Sequence, residues 1–215
     1  MSNTGPHQEQ PIKATGTLPE NASAAMIMLH GRGSSAENML SLSNHLDQKD
    51  VAYLAPQAAG HTWYPQRFIA PIQANEPYLS SALQAVSDTI ETVEKAGIPA
   101  EKLFLVGFSQ GACLALEYAA RNPRRYGGVI GLSGGLIGEQ IDTSNYNGSL
   151  EETPIFIGCS DVDFHIPLER VKETTAALKD QGADVTERIY PGMGHTINED
   201  EVQFVRQLMS SVLSE

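Results

Sequence analysis

The sequence predicts an α/β fold, a mostly parallel central sheet with helices on both faces. Short apolar runs alternate with longer segments of helical period. The runs are almost continuously apolar, as in strands buried on both sides. Strand-helix alternation of this kind needs crossover connections, which make neighbouring strands parallel.

The runs are AAMIMLH at 24–30, VAYLAP at 51–56, LFLVGF at 103–108, GGVIGLSG at 127–134 and PIFIGCS at 154–160. DVTERIY at 184–190 reads as a strand nearer an edge. Between them, Ser34 and Glu37 offer a capping box before Met39, Leu42 and Leu46. Leu79, Leu83, Val86, Ile90 and Val93 trace one helical stripe ending near Gly97, and Leu168, Val171 and Leu178 a second, ending near Gly182. The last helix starts after Asn198 as cap, carries Glu199, Asp200 and Glu201 at its positive end, and turns Val202, Val205, Leu208 and Val212 inward.

With 215 residues, 41% of them hydrophobic, the chain suits one core. Residues 1–12, polar and containing Pro6 and Pro11, are expected to form a flexible arm, and residues 13–215 the single domain. No repeat of fixed period is visible. Lys and Arg total 14 against 26 Asp and Glu, a net charge of -12. That charge repels phosphate backbones and anionic lipid, so nucleic acid is not an expected partner. No apolar run approaches the roughly 20 residues that span a bilayer, and the N-terminus lacks the basic start and apolar stretch of a signal. Membrane insertion is therefore not expected, and a cytoplasmic location is. Cys113 and Cys159 are too few for a disulfide framework and follow no metal-ligand spacing, so both read as buried reduced thiols.

In a parallel sheet the chemistry lies beyond the carboxyl ends of the strands. GFSQG at 107–111 stands there, between the run LFLV and the helical segment ACLALEYAA. In that context G-x-S-x-G is a nucleophile elbow: small residues let the backbone turn sharply enough to expose the Ser109 hydroxyl. Serine needs a base, and the base needs a third group to orient it. His195, in PGMGH between the last strand and the last helix, is the expected base. The rivals are weaker: His7 lies in the polar arm, His45 on a helix, His61 in a long loop, His30 before a glycine-rich loop, and His165 at a helix start. The acid is expected in the loop after PIFIGCS, which offers Asp161 and Asp163. Ser, then Asp, then His is the α/β-hydrolase order. The oxyanion of a tetrahedral intermediate needs two backbone donors, expected from the amides of Gln110 and of Arg32 in HGRG at 30–33. His30 is assigned a structural role in that loop, and the Arg32 side chain a solvated one, with contact to an acidic substrate group as the alternative.

Taken together, LHGRG, GFSQGA, LSGGL at 132–136, DFHIP at 163–167 and YPGMGH at 190–195 resemble the phospholipase/carboxylesterase family of small α/β-hydrolases, relatives of the acyl-protein thioesterases. The resemblance runs from about residue 24 to the end. It implies no large cap domain, no metal and no organic cofactor, and hydrolysis of carboxylic esters, in some members lysophospholipids or thioesters of acylated proteins. By position it implies Ser109, Asp163 and His195 as the triad and the amides of Arg32 and Gln110 as the oxyanion hole. Asp163 stands four residues before Pro167, as the family's acid does, and Asp161 then braces the loop. One departure is Cys159-Ser160, where many relatives carry His-Gly.

The expected function is thus a carboxylesterase acting on a small ester or thioester. A thioesterase or lysophospholipase specialisation is the alternative, and a non-catalytic binding protein on the same fold is the reading from another class. Specificity is expected in the loops 59–77 and 136–153. Trp63, Tyr64, Phe68, Ile69 and Ile72 either line an acyl pocket or pack the first loop down, and Phe164 and Met193 are expected to border the site. Of these, Trp63, Phe68, Phe164 and Met193 are the candidate substrate contacts.

Overall fold

The computed structural model describes residues 5–214. Seven strands form one sheet: β1 (Ile12–Gly16), β2 (Ala24–Leu29), β3 (Val51–Pro56), β4 (Leu103–Phe108), β5 (Gly128–Leu132), β6 (Pro154–Ser160) and β7 (Asp184–Tyr190). Their order is β1-β3-β2-β4-β5-β6-β7, antiparallel between β1 and β3 and parallel throughout the rest. This is the α/β-hydrolase arrangement, and the described residues include no large cap.

Five helices cover it: α1 (Ala36–Leu40), α2 (Tyr78–Lys95), α3 (Gln110–Arg121), α4 (Leu168–Asp180) and α5 (Glu199–Leu213). The pleat decides which helix each strand residue meets, because successive side chains point to opposite faces. Ala25, Ile27 and Leu29 of β2 join one core with α2, α3 and α4, while Ala24, Met26 and Met28 join the other with α1 and α5. No helix among the described residues is long and apolar enough to cross a membrane.

The helix ends follow local chemistry. Asn198 caps α5 by accepting from the Glu201 amide at 2.9 Å, while the Glu201 carboxylate accepts from the Asn198 amide at 2.8 Å. At α1 the cap is Ser35, one residue beyond the expected Ser34, and its hydroxyl accepts from the Asn38 amide.

Two expectations for the N-terminal segment are corrected. Residues 1–4 lie outside the described residues, but the rest of the expected arm does not stand free. His7 is buried at 2% exposure. Its Nε2 bonds the Trp63 carbonyl at 2.9 Å, and its Nδ1 accepts from the Ala59 amide at 3.0 Å. Burial pulls its pKa down, so the ring sits there neutral. Ile12, the arm's last residue, opens β1, whose five residues are all exposed. An edge strand with neither face buried carries no periodic apolar signal.

Candidate active site

The elbow between β4 and α3 is built by contacts that only glycine permits. A β-carbon on Gly107 would stand 2.1 Å from the Gly111 carbonyl oxygen, and one on Gly111 2.0 Å from the Leu29 carbonyl oxygen. Between them Ser109 adopts φ 55°, ψ −117°, a strained conformation for a residue with a side chain. The strain lifts its hydroxyl off the strand end toward the loop that follows β7.

That loop supplies His195. Its Nε2 lies 2.8 Å from Ser109 Oγ, and its Nδ1 lies 2.6 Å from Asp163 Oδ2. The partners set the tautomer: Nδ1–H donates to the carboxylate, leaving Nε2 to accept the serine proton. Asp163 comes from the loop between β6 and α4, and its side chain is fully shielded from solvent. Burial pushes its carboxyl up. The hydrogen bond from His195 and those from the His165 and Ile166 amides, at 2.8 and 3.2 Å to Oδ1, outweigh burial and hold it below the usual carboxylate range.

Asp161 sits apart from this chain, accepting from the Gly192 amide at 2.8 Å and so tying its own loop to the one carrying His195. Ser160 adds a second tie by donating to the Met193 carbonyl. Cys159 stands 4.0 Å from Asp163 Oδ2, and burial and the Asp163 charge push its thiol up to about 12. The thiol therefore keeps its proton and faces the carboxylate as a weak donor.

The loop after β2 closes the other side. A β-carbon on Gly31 would come within 3.5 Å of Ser109 Cβ, so the backbone of residues 31–32 lies against the elbow. Among the described residues, the amides of Arg32 and Gln110 donate to no protein acceptor. His30, buried and lowered in pKa by that burial, braces the loop: Nδ1 bonds the Gly31 carbonyl at 2.8 Å and Nε2 accepts from the Ala58 amide at 3.1 Å.

Ser109 opens into a cavity of about 490 Å³, within the usual range for small-molecule sites. Of the four candidate substrate contacts, Phe68 lies in its wall. Trp63 does not, and the expectation for it is corrected: it is 0% exposed, and its indole donates to the His30 carbonyl at 2.9 Å beneath the glycine loop. Its N–H finds a buried partner there, which fixes the ring inward. Phe164 and Met193 are corrected as well. Phe164 projects into solvent at 94% exposure, and Met193 is turned aside to the Asn198 side chain, 3.0 Å from Nδ2. The loop 136–153 also contributes nothing to this wall. Arg170 of α4 holds its start through the Leu136, Gly138 and Glu139 carbonyls, and the Glu117 carboxylate accepts from the Ile137 amide and the Tyr146 hydroxyl.

Several wall residues were not among the expected substrate contacts. Cys113 is one helical turn beyond Ser109 on α3 and faces the same way, a spacing that could have marked it. Burial pushes its thiol up to about 12, leaving an inert apolar surface. The Gln110 side chain locks the facing loop, accepting from the Trp63 amide and donating to the Tyr64 carbonyl, both at 2.8 Å. Arg32, expected to be solvated, clamps the same loop through the carbonyls of Tyr64, Pro65 and Gln66. His165 also reaches the wall, its ring centroid 4.8 Å from that of His195.

A hydroxyl whose proton faces an oriented imidazole, beside two free amides and an open cavity, can attack a carbonyl and hold the oxyanion that forms. A crystal structure described as a phospholipase/carboxylesterase from Dyadobacter fermentans is 43% identical and superposes with a TM-score of 0.93, covering 97% of this chain and 100% of that one. Acyl-protein thioesterase 1 of Saccharomyces cerevisiae is 28% identical over 88% of this chain and 95% of its own length. A probable carboxylesterase of Arabidopsis thaliana, SOBER1-like, is 26% identical over 90% and 82%. The family model described as phospholipase/carboxylesterase matches residues 14–213, and the chain belongs to that family of hydrolases.

Proposed function

We propose that this protein is a serine carboxylesterase that cleaves small esters through an acyl-enzyme intermediate. The observation that carries the reading is the continuous hydrogen-bonded chain from Asp163 through His195 to Ser109 Oγ, ending at the cavity. Ser109 attacks the ester carbonyl as His195 Nε2 takes the hydroxyl proton. The carbonyl oxygen, now an oxyanion, is received by the Arg32 and Gln110 amides. Asp163 holds the imidazole in the required tautomer and stabilises the imidazolium that forms. His195 then gives its proton to the departing alkoxide, which leaves as the alcohol. Water attacks the acyl-serine with His195 again as base, and collapse releases the acid and restores Ser109.

The cavity volume and the uncapped sheet support short to medium acyl chains. Thioesters are a second reading, favoured by the similarity to acyl-protein thioesterase 1. Matched butyrate oxygen esters and thioesters, compared by kcat/KM across acyl lengths, test both. Turnover of neither would overturn the proposal, and faster turnover of p-nitrophenyl palmitate than of the butyrate would overturn the chain-length reading.

A further inference from the structure

The charge on the cavity wall runs against that of the whole chain. Asp and Glu outnumber Lys and Arg by 26 to 14, yet the wall holds Arg32 and Arg67 and, among the described residues, no Asp or Glu. The Asp163 carboxylate, bonded to His195 of the wall, is shielded and has both oxygens engaged by His195, His165 and Ile166.

The two arginines differ in what occupies them. The Arg32 guanidinium is taken up by three backbone carbonyls. Arg67 makes one long bond, Nη2 to the His165 carbonyl at 3.4 Å, and among the described residues no carboxylate lies within 4.0 Å of it. The backbone that presents it is fixed from below by Asn75, which is fully buried. Asn75 Oδ1 accepts from the Gln66 amide at 2.7 Å, and its Nδ2 donates to the Arg67 carbonyl at 3.2 Å. A charged fork with donors to spare thus stands on a rigid segment at the edge of a cavity whose interior is apolar at Phe68, Cys113 and Ile166.

We infer that the substrate is an ester carrying a carboxylate, and that Arg67 is the specificity-determining residue that receives it. The inference rests on the esterase reading and names its substrate class. A planar guanidinium matches the two oxygens of a carboxylate, and a single free cation matches its single charge. The apolar interior takes the hydrocarbon between carboxylate and ester. Before binding, Arg67 is solvated rather than paired, so no internal ion pair has to break for the substrate to enter.

The test uses two matched pairs of esters, which separate the two halves of the substrate. In one the carboxylate is on the acyl portion, p-nitrophenyl monoglutarate against its methyl ester. In the other it is on the leaving group, p-butyryloxybenzoate against its methyl ester. In at least one pair the wild type is expected to favour the anionic member by about tenfold in kcat/KM, the factor one charge-assisted hydrogen bond supplies. Arg67→Gln is expected to bring that ratio to about one, mainly through KM, and Arg67→Lys to keep part of it. Because Arg67 is exposed, the variants should melt with the wild type, which separates recognition from folding. Wild-type activity on the neutral esters without preference in either pair, or a preference that survives Arg67→Gln, overturns this inference alone. Failure to hydrolyse any of the four overturns the esterase reading and this inference with it.

Discussion

Asp163 and His195 lie 32 positions apart in sequence and meet at 2.6 Å, Oδ2 to Nδ1, while Asp161 in the same loop reaches only the Gly192 amide. One loop therefore holds two carboxylates with different tasks. Asp163→Asn keeps the shape but presents a donor to Nδ1, which favours the wrong imidazole tautomer. Turnover of p-nitrophenyl butyrate is expected to fall by up to about 10⁴. Asp161→Asn, which leaves an acceptor for the Gly192 amide, should lose far less. The opposite ranking would move the orienting role to Asp161.

The elbow makes a steric prediction. Gly107→Ala and Gly111→Ala each put a methyl group into a carbonyl that belongs to the sheet or the helix start, and neither neighbour can swing aside. Both variants should fail to accumulate as folded protein. Gly194→Ala, beside His195 but with nothing within 4 Å of its added carbon, should fold. Soluble, natively melting Gly111→Ala would contradict the packing described for β2 against α3.

Trp63 and Phe68, five residues apart in one loop, should separate cleanly. Trp63→Phe leaves the buried His30 carbonyl without its indole donor and should cost about 1 to 3 kcal/mol, a fall in Tm of several degrees, with the acyl-length profile unmoved. Phe68→Ala should shift that profile toward longer chains, because it deepens the cavity. A changed profile in Trp63→Phe would put the indole back among the substrate contacts.

Legibility in the sequence followed how local each determinant is. The elbow could be read because the strand, the glycines and the helix are contiguous. The order of Ser109, Asp163 and His195 could be read because each follows a recognisable strand. The choice between the two aspartates came from a resemblance, since side-chain direction within a loop has no periodicity. For the same reason the sequence does not decide between pocket lining and loop packing for Trp63, nor does it show that Phe164 and Met193 lie outside the wall. β1 was invisible because an exposed edge strand buries nothing. The burial of His7 is not legible because its partners, Ala59, Trp63 and Ser81, lie more than 50 residues away. The Arg32 clamp and the Gln110 lock are hidden likewise, since their partners are backbone carbonyls and an amide that carry no sequence signature.

Glu201 should govern part of the pH dependence of stability. Burial raises its carboxyl from 4.5 to about 7, and Oε1 has no partner. The folded state therefore holds a proton that the unfolded state releases between those values. The stability this contributes is complete below pH 4.5 and is lost as pH rises through about 7. Glu201→Gln keeps an acceptor for the Asn198 amide and removes the charge. Its Tm should match the wild type at pH 4.5 and exceed it at pH 8, by the equivalent of roughly 1 to 3 kcal/mol. A gain of equal size at both values would assign the effect to packing instead.

The central claim is that Ser109 is an activated nucleophile, and a fluorophosphonate probe reads that directly, because it phosphonylates a serine only where a base withdraws the proton. Intact-mass measurement is expected to show one adduct per chain, mapped by peptide sequencing to Ser109, absent in Ser109→Ala and slowed by orders of magnitude in His195→Ala. An unlabelled wild type, or a Ser109→Ala variant that still takes up probe and hydrolyses p-nitrophenyl butyrate, would contradict it.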